Sequence, residues 1–345
     1  MQKKLAQKIQ QGWSEPNWLT YLLLPLTFLY LLIMCLRKFF YRQGWFGVYQ
    51  AKVPVVIVGN ISVGGTGKTP LTIAIVDRAR ELGFTPGVIS RGYGGQALEW
   101  PQIVTSDASA HFVGDESVLI AQQTNCPVIV GPNRGKAIDL LLSKYECNVI
   151  VSDDGLQHYA LSRDAEIAVL DQQRRHLNNF CLPAGPLRET SKRLKSVDLI
   201  FNHVSPVESH GDIFDSSDQN LFRLRQTGFK SVTNHQKVDI LKTTTVHAVA
   251  GIGHPLRFFR QLRALGLNII EHSFPDHHRY SIEDFDFIEE GSIVIMTAKD
   301  AVKCTAFAKP DWSYLDVEVE MNNVASDNID QLLTTLISNK IDAND

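Results

Sequence analysis

Two clusters of residues in this chain have the types and spacing that phosphate chemistry needs. The first is Gly59-Asn-Ile-Ser-Val-Gly64-Gly65-Thr66-Gly67-Lys68-Thr69-Pro70. Glycines let consecutive backbone N–H groups curl around phosphate oxygens, a lysine neutralises the outer oxygens, and a Ser/Thr hydroxyl serves Mg²⁺. Gly64, Gly65, Thr66 and Gly67 supply the loop, Lys68 the charge and Thr69 the hydroxyl. Spacing departs from the standard P-loop, because Ser62 stands at the first glycine position. The Gly64-Gly65 pair is shared with deviant GGxGKT loops, although Val63 stands where those commonly carry a second lysine. The second cluster is Val149-Ile-Val-Ser-Asp153-Asp154-Gly155, an apolar run ending in two carboxylates. At a strand's carboxyl edge, one carboxylate can hold Mg²⁺ directly or through water while its neighbour orders the metal's shell.

Other constellations stand alone, several with two readings. Arg91, in Ser90-Arg91-Gly92-Tyr93-Gly94-Gly95, follows an expected strand and offers an anion-binding arginine on a flexible loop. Asp115, in Gly114-Asp115-Glu116, is a functional carboxylate or a simple helix-start residue. His158, next to Asp154-Gly155, is a phosphate or substrate contact or a histidine without a ligand. Glu189 closes the rigid segment Leu182-Pro-Ala-Gly185-Pro186-Leu187-Arg188-Glu189, which also reads as a salt-bridged turn. The run Phe274-Pro-Asp276-His277-His278-Arg279-Tyr280 is dense in proton-handling groups but lacks the further ligands a metal would need. Thr297-Ala-Lys299-Asp300 is a nucleotide-base contact or a solvated turn, and Gly251-Ile252-Gly253 is a bare GxG.

These residues need a frame. Short apolar runs alternate with helical patterns after Gln50, which predicts an α/β fold with a mainly parallel sheet. Strands are expected at 55–58, 87–89, 128–130, 149–151, 167–170 and 199–201, with helices over 69–81 and 133–145. The polar stretch 207–219 reads as a surface excursion. A second, smaller α/β series is expected from 245: strands 246–250, 269–272, 293–296 and 315–319, helices 255–265, 282–288 and 329–337. The domain plan is therefore 1–50, a P-loop domain over 51–240 and a C-terminal α/β domain over 241–345.

Within 1–50, Trp18 to Leu36 is uncharged for 19 residues. At ~1.5 Å per residue that run reaches ~28 Å, about the thickness of a bilayer core. No small-residue cleavage site follows it, which argues against a secretory signal. The expectation is a hydrophobic membrane helix over 18–36, either spanning or interfacial. Lys3, Lys4 and Lys8 before it and Arg37, Lys38, Arg42 and Lys52 after it do not orient it.

Composition excludes several classes. The chain is 44% hydrophobic and 21% charged, an ordinary balance for a globular protein. A formal charge of −3 gives no overall basic field for nucleic acid. Five cysteines without a CxxC pair fit a reducing compartment better than a zinc knuckle or a disulfide framework.

The ordered set GNISVGGTGKTP, SRGYGG, GDE, DDGLQH, LPAGPLRE, FPDHHRY and TAKDAVK, after a hydrophobic helix, resembles the tetraacyldisaccharide 4′-kinases along nearly the whole chain. The resemblance implies a membrane-associated P-loop kinase with two α/β domains. Using ATP and Mg²⁺, it would phosphorylate the 4′-hydroxyl of a lipid disaccharide at the cytoplasmic face of a Gram-negative inner membrane. By resemblance Lys68 and the loop amides hold the β- and γ-phosphates, and Thr69, Asp153 and Asp154 serve the metal. Asp115 is then the base, with His277 orienting it or accepting its proton, and Arg91, His158 and Glu189 line the phosphate and substrate region. On the domain plan above, pairing Asp115 with His277 needs two domains to close. No nucleic-acid or protein partner is implied. The competing reading is a deviant P-loop ATPase acting on protein partners at a membrane.

Overall fold

The computed structural model describes residues 2–172, 177–204, 214 and 217–342. The chain opens with three helices, α1 (Gln2–Ser14), α2 (Trp18–Leu22) and α3 (Leu24–Arg42). There follow β1 (Val55–Gly59), α4 (Lys68–Glu81), β2 (Pro86–Ser90), β3 (Gln102–Val104), α5 (Ala110–Val113), α6 (Asp115–Thr124), β4 (Val128–Val130) and α7 (Arg134–Lys144). Next come β5 (Val149–Asp153), β6 (Ala165–Asp171), β7 (Leu199–His203), β8 (Asn220–Ser231) and β9 (Lys237–Val238). The last part holds β10 (Thr245–Ala250), α8 (Pro255–Ala264), β11 (Asn268–Ser273), β12 (Val294–Thr297), α9 (Ala298–Cys304), β13 (Trp312–Met321) and α10 (Asn323–Asp342).

Two compact units emerge, and neither is a continuous stretch. Unit 1 comprises Met1–Ile89, Leu142–Arg223 and Glu320–Asp345; unit 2 comprises Ser90–Leu141 and Leu224–Val319. This division differs from a boundary at 240/241, because the chain leaves unit 1 after β2 and comes back at α7. The carboxyl end also returns to unit 1. There Arg78 of α4 donates from Nε and Nη2 to both carboxylate oxygens of Asp330 on α10, at 2.6 and 2.5 Å.

Unit 1 is built on the parallel order β2-β5-β1-β6-β7-β8. Every residue of β1, β2 and β5 is buried, as near-continuous Val/Ile runs require when a parallel sheet is covered on both faces. Helix α4 buries Leu71, Ile75, Val76 and Ala79 at helical spacing, each large side chain contributing about 1.5–3 kcal/mol. Strand order reverses at β1: the chain runs from β1 to β2 on one side, and β6 lies on the other. Open α/β sheets bind ligands beyond the carboxyl ends of strands at such a reversal.

Unit 2 contains the parallel set β11-β10-β12-β13 and the antiparallel pairs β3–β4 and β8–β9. Its core gathers Val249, Met296, Trp312 and Phe285 on one side of the parallel set, and Val246, Ala248, Phe259 and Leu262 on the other.

Three local expectations are corrected. The apolar run is not one helix: Asn17 caps α2 by accepting from the Leu19 and Thr20 N–H groups, and Pro25 sits in the first turn of α3. Proline is tolerated there because the first-turn N–H groups lack intrahelical partners anyway. The run 282–288 yields only a 3-10 turn, Ile282–Phe285, closed by a Ser281–Asp284 capping box. A strand missing from the sequence reading, β8, crosses 220–231, whereas 207–213 and 215–216 of the expected excursion lie outside the described residues.

Candidate active site

The glycine-rich loop leaves β1 beside β5, where Val58 pairs with Asp153. Asn60, fully buried, donates from Nδ2 to Thr66 Oγ1 at 3.1 Å and so ties the start of the loop to its end. The loop is also laced to the 182–189 segment: Val63 N–H donates to the Pro186 carbonyl at 2.8 Å and Arg188 N–H to that of Ile61 at 2.7 Å. Gly67 caps α4 at φ 91, and a Cβ there would lie 3.0 Å from His203 Nδ1 and 3.1 Å from the Phe222 ring. Gly67→Ala therefore combines a left-handed backbone, costing about 1–2 kcal/mol for a residue with a Cβ, with a crowded floor. Calorimetry is expected to show ATP affinity lowered at least tenfold, and a denaturant midpoint below that of the parent. Parent-like affinity would mean that the loop does not depend on this conformation.

Lys68 and Thr69 open α4. Thr72, three residues on and so on the same helix face as Thr69, donates from Oγ1 to Asp153 Oδ1 at 3.1 Å; Asp153 is fully buried. Asp154 follows at φ 47. Its carboxylate accepts from Arg188 Nη1 at 3.0 and 3.1 Å and lies 3.8 Å from Lys68 Nζ. One hydroxyl and two carboxylates make an all-oxygen donor set, which suits Mg²⁺. Among the described residues no cluster of three His, Cys, Asp or Glu forms a closed cage. Magnesium likewise takes one or two carboxylates and leaves its other positions to water and phosphate.

Glu189 is almost wholly buried. It accepts from Tyr159 OH at 2.6 Å and from Gln157 Nε2 at 3.0 Å, pairs with Lys38 of α3, and has Arg193 Nε at 3.7 Å. Burial opposes its ionisation, but the bonds from Lys38, Tyr159 and Gln157 prevail and hold the carboxyl below its usual value. His158 is half-buried between Gln157 and Tyr159, and its carbonyl accepts from Arg163. Arg91 stands exposed just after β2.

Unit 2 joins two residues that lie 162 positions apart. Asp115 is the first residue of α6, where the helix dipole favours a carboxylate. Gly114 before it has φ 90, and a Cβ there would sit 2.6 Å from the Tyr93 carbonyl. Asp115 Oδ1 accepts the Glu116 N–H at 2.9 Å, and Oδ2 lies 3.1 Å from His277 Nδ1. His277 has φ 57, donates its N–H to the Gly251 carbonyl at 3.2 Å and packs its ring 5.0 Å from that of Tyr93. Burial works against an ionised Asp115, yet the His277 bond and the Lys299 and Lys303 charges outweigh it and lower its pKa. In turn, the bond to Asp115 raises His277 above the ordinary imidazole value, against burial and the Lys299 charge. Because both residues belong to unit 2, their pairing needs no closure between domains, contrary to the sequence expectation.

The sequence reading missed Asn60, Thr72 and the partners around Glu189. Asn60, two residues after Val58, had a signal of its own, since a buried polar residue directly after an apolar strand must find a partner.

A glycine-rich loop between β1 and α4, with carboxylates ending the adjacent parallel strand, defines a P-loop phosphotransferase. The sequence model of the family described as "Tetraacyldisaccharide-1-P 4'-kinase" matches residues 19–337, and the chain belongs to that family. It is 44% identical over 335 residues to the tetraacyldisaccharide 4′-kinase of Methylobacillus flagellatus, covering 95% of this chain and 98% of that one. The Pasteurella multocida kinase is 45% identical over 313 residues, covering 90% and 94%. Among solved structures, LpxK from Aquifex aeolicus in complex with ATP is similar at TM-score 0.76 and 30% identity, covering 92% of this chain and 99% of that one. The chain is thus a lipid kinase, and the reading as a deviant ATPase acting on proteins is not favoured.

Proposed function

We propose that this kinase transfers the γ-phosphate of ATP to the 4′-hydroxyl of a tetraacyl disaccharide 1-phosphate, at the cytoplasmic face of the inner membrane. The observation carrying this reading is the grouping of Lys68, Asp154 and Arg188 at the end of β1 and β5, in a chain that matches the kinase family almost throughout. Lys68 and the amides of Gly64, Gly65, Thr66 and Gly67 hold the β- and γ-phosphates. Thr69, Asp153 and Asp154 would hold Mg²⁺, which when bound shields phosphate charge. Arg91, His158 and Glu189 serve the phosphate and substrate region, Glu189 by fixing Tyr159, Gln157 and Lys38. In the transfer, a bond forms from the sugar oxygen to the γ-phosphorus as the bond to the β–γ bridging oxygen breaks. The hydroxyl proton goes to Asp115 and then to water, and ADP departs. Purified protein given labelled ATP and the lipid in mixed micelles should yield a 4′-phosphorylated lipid. ATP hydrolysis without lipid phosphorylation would overturn this assignment.

The same reading places α1 to α3 in the membrane interface rather than across it. Both α1 and α3 are bonded to the 178–188 segment of unit 1: Asn178 Nδ2 donates to the Gly12 carbonyl at 3.0 Å and Trp13 Nε1 to that of Pro183 at 3.1 Å. Thr27 Oγ1 bonds the Cys181 carbonyl at 3.2 Å, and Tyr30 OH bonds that of Arg188 at 2.8 Å. The opposite face exposes Trp18, Leu22, Leu26, Leu29, Ile33 and Leu36, an apolar stripe suited to the acyl boundary. An epitope tag before residue 1 should accordingly be protease-accessible in inverted vesicles together with the catalytic units. Protection of the tag alone would indicate a spanning helix.

A further inference from the structure

Helix α9 brings two ammonium groups to the Asp115–His277 pair, and each is anchored on an acid. Lys299 Nζ donates to Glu116 Oε1 at 2.9 Å and lies 3.4 Å from His277 Nε2. Lys303 Nζ is 2.7 Å from Asp300 Oδ1 and 4.0 Å from Asp115 Oδ2. Asp300 is itself fixed, accepting from Thr297 Oγ1 at 2.6 Å and from the Gly251 N–H at 3.0 Å. Gly251 in turn accepts the His277 N–H, so one network positions both α9 and the histidine backbone.

We infer that Lys299 is a positioning residue for phosphoryl transfer: anchored on Glu116, its ammonium donates into His277 Nε2 and so selects the imidazole tautomer whose Nδ1–H points at Asp115. The inference rests on the reading of Asp115 as the base. An ammonium has three donors and no acceptor, and an ionised carboxylate has acceptors only. Between Lys299 and Asp115, a neutral imidazole satisfies both neighbours in one way only: Nε2 accepts and Nδ1 donates. The opposite tautomer sets an N–H against the ammonium and a lone pair against the carboxylate. An imidazolium also sets an N–H, and a positive charge, against Lys299.

The tautomer has a consequence for catalysis. With Nδ1 already bearing its proton, His277 cannot accept the substrate proton from Asp115 at that atom. His277 therefore orients Asp115, whose carboxylate remains the group that takes the proton. The groups around the imidazole are Asp115 from α6, Lys299 from α9, Asp276 with Oδ1 3.9 Å from Nε2, and the Tyr93 ring; Lys303 flanks Asp115. Lys299 is itself held protonated, because the charges of Glu116, Asp115 and Asp276 outweigh the effect of burial.

The test uses the full-length protein in micelles with ¹⁵N-labelled histidine, and His277→Ala identifies the His277 signals. In the parent at neutral pH the neutral form should be the Nδ1–H tautomer. In Lys299→Gln the ring should shift toward Nε2–H or toward the imidazolium. Removing the cation raises the imidazole pKa, so the acid limb of kcat moves to higher pH. At neutral pH kcat should fall about 10- to 100-fold, the scale of one charge-assisted hydrogen bond, with KM for ATP unchanged and partial rescue in Lys299→Arg. Should Lys299→Gln fail to fold, Lys299→Met combined with Glu116→Gln removes both charges and keeps the measurement open. An unaltered tautomer and acid limb in a folded variant would refute the role, as would an effect confined to KM for ATP, which would make Lys299 a nucleotide contact. Failure of the base reading is separate, since it would show as parent-like turnover in Asp115→Asn.

Discussion

Lys68→Ala is expected to fold and to lose turnover by about 10²–10³-fold, the cost of deleting one preorganised donor that stabilises transition-state charge. The two parts of this expectation come from different contacts. Lys68 Nζ lies 3.8 Å from Asp154, which keeps two hydrogen bonds from Arg188 when the lysine is removed. Partly exposed ion pairs of this kind contribute about 0–1 kcal/mol, so the denaturant midpoint should barely move. On the proposed mechanism phosphoryl transfer leans on the same ammonium much harder, because charge would gather on γ-phosphate oxygens held where α4 begins. Lys68→Arg should fail nearly as badly, since a planar fork does not replace a compact point charge. Lipid phosphorylation under saturating ATP is the measurement, with circular dichroism as the check on folding. A folded Lys68→Ala protein with near-parent turnover would remove the P-loop assignment.

The grouping of the glycine-rich loop with the carboxylates of the candidate site was legible in the sequence because its constraints are local. Glycines, Lys68 and Thr69 lie within one short segment, and Asp153 and Asp154 end an apolar run that can only be a buried strand. The rest of the candidate site was not legible from spacing. Asp115 and His277 lie 162 residues apart and Glu116 and Lys299 lie 183 apart, so no periodicity brings them together. The residues themselves marked Asp115, His277 and Lys299 as separate candidates, but resemblance alone paired Asp115 with His277, and nothing in the sequence set Lys299 beside them. The grouping of 90–141 with 224–319 was not legible for a related reason: hydrophobic pattern reveals strands and helices, not which distant segments fold together. At the N-terminus the apolar count predicted one helix, whereas the chain breaks at Leu23, with Pro25 in the first turn of the helix that follows.

Asp115→Asn should lower turnover by about 10²–10⁴-fold, the range for a positioned general base, with little change in ATP affinity. The substitution preserves shape and can still accept the Glu116 N–H. It removes the charge that pairs with His277 and that, on the proposed mechanism, accepts the proton of the sugar hydroxyl, a group far too weakly acidic to ionise near neutrality. His277→Ala should cost less, because Asp115 keeps its bond from the Glu116 N–H and its place 4.0 Å from Lys303 without the imidazole. The double variant should be scarcely worse than Asp115→Asn alone, since groups acting as one unit lose their effect together. Multiplying losses would separate the pair into independent actors. The pH profile adds a further discrimination, because the Asp115 carboxyl is held below the usual carboxylate range while His277 is raised. As pH falls through the raised His277 value, the imidazole protonates before Asp115 does, giving an imidazolium against a carboxylate that is still ionised. That ion pair draws the carboxylate toward the histidine and weakens it as a base, so kcat declines through the His277 titration before Asp115 itself takes up a proton. In His277→Ala this decline should vanish from the profile, leaving only the lower-pH loss that belongs to Asp115. A parent-like acid limb in His277→Ala would mean that another group carries it, and the orienting role of His277 would fall.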